Sequence, residues 1–309
     1  MVYPYKTLLF YKYVTIANPE EFVAEHLQFC KKLGIKGRIL VASEGINGAV
    51  SGTEEQIDAY IEGAHQYKFL KDMIFKSSYS EGHIFQKMHV RLRNEICALK
   101  LEDDVDPNME TGKYLPPEEL HKWYENNEDF IIVDTRNNYE WEVGKFKNAR
   151  VIDIEYFRDF PKGVDDIEDL KDKKVVAYCT GGIRCEKASA YLIKRGFKDV
   201  YQLEGGILNY AAQTNGRHWE GKCFMFDDRL VVPINHTEED KVISQCSHCQ
   251  QSSDRYMNCP NIDCNKLYIC CEACDEEKGG FCCESCQHST RVRDRRPVSC
   301  STDAWELIA

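Results

Sequence analysis

The stretch VVAYCTGGIRCEKAS, residues 175–189, follows strand-forming residues with Cys179, a Gly181–Gly182 pair, Arg184 and Cys185 before a helical pattern resumes near Glu186. Glycines remove side chains where a backbone must curl tightly. A helix that starts after the curl points its unpaired amides and partial positive charge back into it. A thiol at the mouth of such a ring is stabilised as the thiolate, so Cys179 is the candidate nucleophile. The amides from Thr180 to Cys185, with the loop's own Thr180, Gly181, Gly182 and Ile183 among them, are the candidate donors to its charge, and Arg184 supplies a fixed cation or clamps the loop. Cys185 is either a resolving thiol or a small residue at the helix start.

A second cysteine chemistry occupies the tail. Behind CFMFDDRLVVPI the chain reads CSHC, nine residues, CPNIDC, five residues, CCEAC, seven residues and CCESC. Thiolate pairs two to four residues apart are what a tetrahedral metal takes from tight turns, and a closed four-thiolate zinc site is structural. The expected ligands are Cys246, Cys249, Cys259, Cys264, Cys271, Cys274, Cys283 and Cys286. Cys282 is an alternative to Cys283, Cys270 reads as a buried strand residue, and His248 and His288 read as bystanders. The pairing of knuckles into two zinc sites stays open. Reduced thiols without metal are the competing reading.

These groups must be held by a chain of 309 residues with a net charge of −11 and 16 cysteines. That length suits two or three domains. No apolar run reaches membrane-spanning length and the start lacks a signal-peptide pattern, so the expectation is a cytoplasmic protein without membrane partners. The acidic balance argues against a general nucleic-acid coat but permits a local basic groove, with candidates at QKMHVRLR (86–93), NGRHWEGK (215–222) and RVRDRR (291–296).

Residues 1–105 alternate strands and helices in the order of a split βαβ sandwich, an acylphosphatase-like (ferredoxin-like) α/β domain. Asn18, Pro19 and Glu21 would start its first helix, Gly34 would end it, and Phe22, Val23, Leu27 and Cys30 would form the buried stripe. GRILVA and GAVSG would flank a loop, SEGING. An acidic, proline-punctuated linker follows. Residues 112–216 read as a parallel α/β sheet in which DFIIVDTR and KKVVAYC are doubly buried strands, placing Cys179 beyond a strand's carboxyl end, where such sheets hold ligands. Asp134, Arg136 and Glu140 read as an internal ion-pair and capping network, and Gly205 with Gly206 as a turn packed under the cysteine loop. Residues 217–309 form the cysteine-rich zinc-knuckle segment.

VDTRNNYEWEVGKFKNA, YCTGGIRCEKAS and LEGGILNY resemble a rhodanese domain, whose loop runs Cys-x-x-Gly-x-Arg-Ser. Cys179, Gly182 and Arg184 match, while Cys185 replaces the serine. The related phosphatases carry Cys-x5-Arg; here Arg184 comes one residue early, which favours the smaller, sulfur-sized loop. With EGINGAVSG before it and FDDR and the knuckles after it, the whole order resembles the rhodanese-like tRNA uridine hydroxylase family (TrhO). The resemblance implies oxygen-dependent 5-hydroxylation of the wobble uridine of tRNA, with molecular oxygen as cosubstrate; the sequence carries no flavin or nicotinamide motif. The rhodanese resemblance implies a persulfide-carrying role for Cys179; in a hydroxylase the same sulfur would add covalently to the uracil ring or form a reactive sulfur-oxygen intermediate. Lys87, Arg91 and Arg93 are candidate RNA phosphate contacts. A sulfurtransferase fed by a sulfur donor, and a Cys179–Cys185 thiol switch, are the alternatives.

Overall fold

The computed structural model describes residues 3–103, 105–237, 241–293 and 306–308. Arg295, Arg296 and the last cysteine, Cys300, lie outside them. In the first domain, β1 (Tyr5–Tyr13), α1 (Pro19–Leu33), β2 (Lys36–Ala42), β3 (Gly45–Thr53), α2 (Glu54–His65) and β4 (Phe75–Ser80) follow the split βαβ order, and β5 (Met88–Leu92) adds a parallel edge beside β2. Thr53 and Gln56 close a reciprocal cap on α2, satisfying amides that the helix itself cannot. At α1 the Asn18 side chain instead bonds Glu21 at 3.3 Å and caps nothing, while Gly34 ends the helix in the left-handed region at φ +77°. The buried stripe of α1 is Phe22, His26 and Cys30; Val23 and Leu27 are only half-buried. The expected loop SEGING shrinks to a turn at Ser43–Glu44, because Gly45 brings β3 hard against β1: a Cβ there would lie 2.1 Å from the Lys12 carbonyl oxygen.

The helices cover one face of this sheet with a core that includes Leu8, Phe10, Ile39 and Tyr60. Strand alternation turns the next residues the other way. One cross-strand row on that second face runs Lys76, Leu9, Ala49, Arg38, His89, and the next runs Tyr11, Asn47, Leu40, Arg91.

The second domain contains β6 (Lys113–Leu115), α3 (Pro117–Glu125), β7 (Ile131–Asp134), α4 (Asn138–Trp141), β8 (Gly144–Phe146), β9 (Arg150–Val151), α5 (Phe160–Gly163), β10 (Lys174–Tyr178), α6 (Ile183–Lys194), β11 (Asp199–Leu203) and α7 (Gly206–Thr214). Five strands form one parallel sheet in the order β6-β11-β10-β7-β9. α3 and α7 cover one face and α5 and α6 the other, which is why the strands are apolar on both sides.

Beyond it, β12 (Trp219–Gly221) pairs with β8, and Trp219 is buried in the second domain's core. β13 (Cys223–Phe224) pairs with β14 (Val231–Val232), and β15 (Tyr256–Asn258) with β16 (Leu267–Ile269); α8 (Glu272–Lys278) and α9 (Glu284–Gln287) complete the cysteine-rich part. The last described strand, β17 (Glu306–Ile308), returns to the first domain and pairs with β4. The domains are pinned together by buried ions. Lys187 on α6 bridges Glu44 at 3.0 Å and Glu95 at 2.7 Å, and Arg229 of the FDDR motif holds both Asp227 and the Ser78 hydroxyl. No helix among the described residues is long and apolar enough to cross a membrane.

Candidate active site and metal centres

α6 starts at Ile183, three residues before the expected point, because Gly182 at φ +101° turns the chain directly into helical geometry. The first helical turn therefore contains Arg184 and Cys185, and its amides face the strand end that carries Cys179. The Gly182 N–H donates to Cys179 Sγ at 3.1 Å. Among the described residues no other loop amide, those of Thr180, Gly181 and Ile183 included, bonds that sulfur; the Cys185 N–H donates to the Gly182 carbonyl at 3.0 Å, and the amides of Arg184 and Cys185 act on the sulfur as nearby positive dipoles. Burial pushes the Cys179 thiol up, but the Cys185 thiol, the Arg184 guanidinium and these amides outweigh it and bring the thiol down to about 5. Cys185 moves the other way: burial and the neighbouring Cys179 charge hold its pKa well above the ordinary thiol value, so it keeps its proton and donates. One sulfur is the anion and the other its hydrogen-bond partner.

The network expected at Asp134, Arg136 and Glu140 forms, and it reaches further than strand and helix. Arg136 grips Asp134 through Nε at 2.9 Å and Nη2 at 2.7 Å, and donates to the Gly144 carbonyl at 2.7 Å. Glu140, fully buried, accepts the Asn137 N–H at 3.2 Å and both arms of Arg184, Nη2 at 2.7 Å. A bidentate carboxylate fixes a guanidinium in plane as well as in place. Arg184 thus reads as a rigid cation beside the thiolate, with Glu140 as its positioning partner. Under the loop, a Cβ on Gly206 would lie 2.5 Å from the Cys179 carbonyl oxygen, so only glycine allows the approach.

Cys179 borders a cleft of about 360 Å³. Leu9, Arg38, Asn47 and Lys76 line it from the second face of the first domain's sheet, and Met225 and Phe226 from the chain that follows the parallel sheet. Such a volume suits a small ligand or one nucleobase. Tyr11 crosses the domain boundary and donates to Glu186 at 3.0 Å, where Tyr114 also donates at 2.9 Å. Sequence reasoning passed over Lys76, Arg38, Tyr11 and Glu186. Their signal was a lysine amid the small polar residues of FKSSYS and an arginine alternating with apolar residues in GRILVA.

Lys87, Arg91 and Arg93 do not line the cleft. They are exposed along the β5 edge, on the same sheet face as Arg38 and Leu40, because β5 pairs His89 with Arg38 and Arg91 with Leu40.

In the tail, the sulfurs of Cys246, Cys249, Cys271 and Cys274 lie within 4.8 Å of one another, and so do those of Cys259, Cys264, Cys282 and Cys286. Cys249 and Cys271 are 3.6 Å apart, Cys264 and Cys282 3.6 Å, and Cys282 and Cys286 3.8 Å. Four thiolates at ~2.3 Å around one tetrahedral ion sit about 3.8 Å from each other, so both sets fit a metal. First and third knuckles share one site, second and fourth the other. Cys282 takes the position expected for Cys283. Cys283 caps α9 in extended conformation and turns its sulfur to the Ser285 hydroxyl at 3.1 Å. Cys270 is fully buried beside β16, as a strand residue should be.

Three family models match in tandem: the UPF0176 acylphosphatase-like domain over residues 5–96, the rhodanese-like domain over 116–213, and the rhodanese C-terminal region over 220–287. The rhodanese-like domain of an Anabaena protein is 24% identical, covering 36% of this chain and 80% of that one with a TM-score of 0.31. The tRNA uridine(34) hydroxylase of Bacillus licheniformis is 51% identical over 86% of this chain and 83% of its own length. Its counterpart in Staphylococcus haemolyticus is 51% identical over 85% and 82%. The chain belongs to the tRNA uridine(34) hydroxylase family.

Proposed function

We propose that this chain hydroxylates uridine 34 of tRNA at ring carbon 5, with Cys179 as its nucleophile and molecular oxygen as cosubstrate: one oxygen atom enters the ring, and the other leaves as water with two electrons and two protons from an external thiol reductant. The observation that carries the reading is the meeting of an amide-stabilised thiolate with a base-sized cleft whose far wall leads out to a row of cations. Arg38 and Arg91 share the face that starts in the cleft, and Lys87 and Arg93 extend it along the edge. An anionic backbone on that row would direct a single base toward Cys179, since phosphate contacts position and the pocket selects. The apolar wall of Leu9, Met225 and Phe226 excludes water and strengthens the charges inside. The thiolate adds to carbon 6 of the uracil ring, which makes carbon 5 electron-rich. The four thiolates of each tail cluster would hold a zinc ion with no open position, which gives it a structural role.

Purified protein incubated with tRNA bearing uridine 34 and a thiol reductant, in air and under argon, tests this by nucleoside mass spectrometry. Oxygen-dependent 5-hydroxyuridine is expected; its absence in air overturns the reading. Neutralising Lys87, Arg91 and Arg93 should weaken tRNA binding and lower the salt slope by about 1 for each cation that had met a phosphate. An unchanged slope removes them from the interface. The loop also favours a second reading. A ring of amides stabilises a persulfide anion as readily as a thiolate, and thiosulfate-to-cyanide transfer without RNA would identify it.

A further inference from the structure

Lys76, the second residue of β4, has 5% of its surface exposed and borders the same cleft as Cys179. Among the described residues its ammonium has no ion pair and no hydrogen bond; the Tyr11 ring lies beside it, 5.4 Å away. A buried ammonium without a partner is strongly disfavoured, and such groups concentrate where a ligand supplies the partner. The other cations near the cleft are differently placed. Arg184 is held on both arms by Glu140, and Arg38 is exposed at the outer wall. Lys76 alone combines burial, an unused charge and a position on the cleft that holds the thiolate.

We propose that Lys76 is a catalytic residue whose ammonium pairs with oxygen O4 of the uracil ring when the Cys179 sulfur adds to carbon 6. The inference rests on the uridine reading given above. In that step the S–C6 bond forms and the C5=C6 electron pair moves through C4 onto O4. No group leaves and nothing is oxidised or reduced. Lys76 shares or gives its proton to O4, and expulsion of the thiolate returns it. While the adduct lives, C5 can take a proton from water and lose one again, so the C5 hydrogen exchanges with solvent.

Lys76 shares cavity walls with Tyr11, Lys12 and Tyr13 from β1, Arg38 from β2, Asp72 ahead of β4, Cys97 between the domains, Tyr114 from β6, Cys179 from the loop, Arg184 and Glu186 from α6, Glu204 after β11 and Asp227 after β13. Burial lowers the amine to about 8, against the opposing pull of Cys179 and Glu186. The ammonium is therefore present below about pH 8 and lost above it.

The test is deuterium uptake at C5 of uridine 34, measured on intact protein with tRNA in D2O under argon, where hydroxylation cannot consume the adduct. Wild type should exchange, with a rate that falls as pH rises through about 8. Lys76→Met should lose on the order of 100-fold while tRNA affinity is unchanged. Lys76→Arg, which keeps a charge at all working pH values, should retain most of the exchange and lose the alkaline fall. The arginine variant's pH profile decides the question even if the methionine variant folds poorly. Wild-type exchange in Lys76→Met, or a loss matched by an equal loss of tRNA affinity, would overturn the proposal. Hydroxylation in air without any wild-type exchange under argon would overturn it too, yet leave the hydroxylase reading standing. Failure of hydroxylation in air removes both.

Discussion

The molecule holds sulfur in two opposite ways. In the loop, Cys179 is surrounded by donors: the Gly182 amide at 3.1 Å, the amides of the first turn of α6, Arg184 and the Cys185 thiol. It keeps one side on a cleft. In the tail, each sulfur faces three others, at 3.6 Å for Cys249 and Cys271 and for Cys264 and Cys282. Amides and one cation stabilise a single negative charge and leave it free to react. Four converging thiolates repel one another until a cation sits between them, and that cation then uses every donor. The same residue type is thus held as a lone anion where its partners are peptides and as one of a closed set of four where its partners are its own kind.

The two regions touch. Tyr256 on β15 donates to the Tyr139 carbonyl at 2.7 Å and to Glu142 at 3.1 Å, on either side of the Glu140 that clamps Arg184. The tail therefore supports the helix that orients the loop's cation.

Replacing sulfurs separates the two roles. Cys179→Ser should cost at least on the order of 10³ in turnover, with metal content and Tm unchanged; wild-type turnover would erase the distinction. Cys282→Ser should abolish one metal site and destabilise the tail by several kcal/mol, read as metal stoichiometry and thermal unfolding. Cys283→Ser should change neither, and equal losses from both variants would mean the sites are assigned wrongly. Tyr256→Phe is the gentlest probe. Loss of its hydroxyl bonds should cost about 1 kcal/mol and lower turnover a few-fold with metal retained. A turnover equal to wild type would sever the link between tail and loop.

Much of this was legible from residues because the signals are local. Gly182 and Gly206 announce tight backbone, the knuckle spacings announce turns of thiolates, and the apolar runs announce buried parallel strands. What escaped depends on partners distant in the chain. The choice of Cys282 over Cys283 is made by the start of α9, and the interleaved pairing by how β15 and β16 bring the knuckles together. Which amides serve Cys179 depends on where α6 begins, a matter of a single glycine dihedral. The cleft itself was invisible. Lys76, Leu9, Ala49, Arg38 and His89 are far apart in sequence and become one row only through strand register.

The most direct test is a titration of the Cys179 thiolate, followed by the pH dependence of its alkylation with iodoacetamide and mapped by peptide mass spectrometry. A thiol held down by amides and Arg184 stays ionised at neutral pH and loses its charge only as pH falls through about 5. The expected curve is flat above pH 6 and drops with a midpoint near 5. A midpoint at the ordinary thiol value of ~8.5 would contradict the anionic cradle and, with it, the chemistry assigned to the cleft.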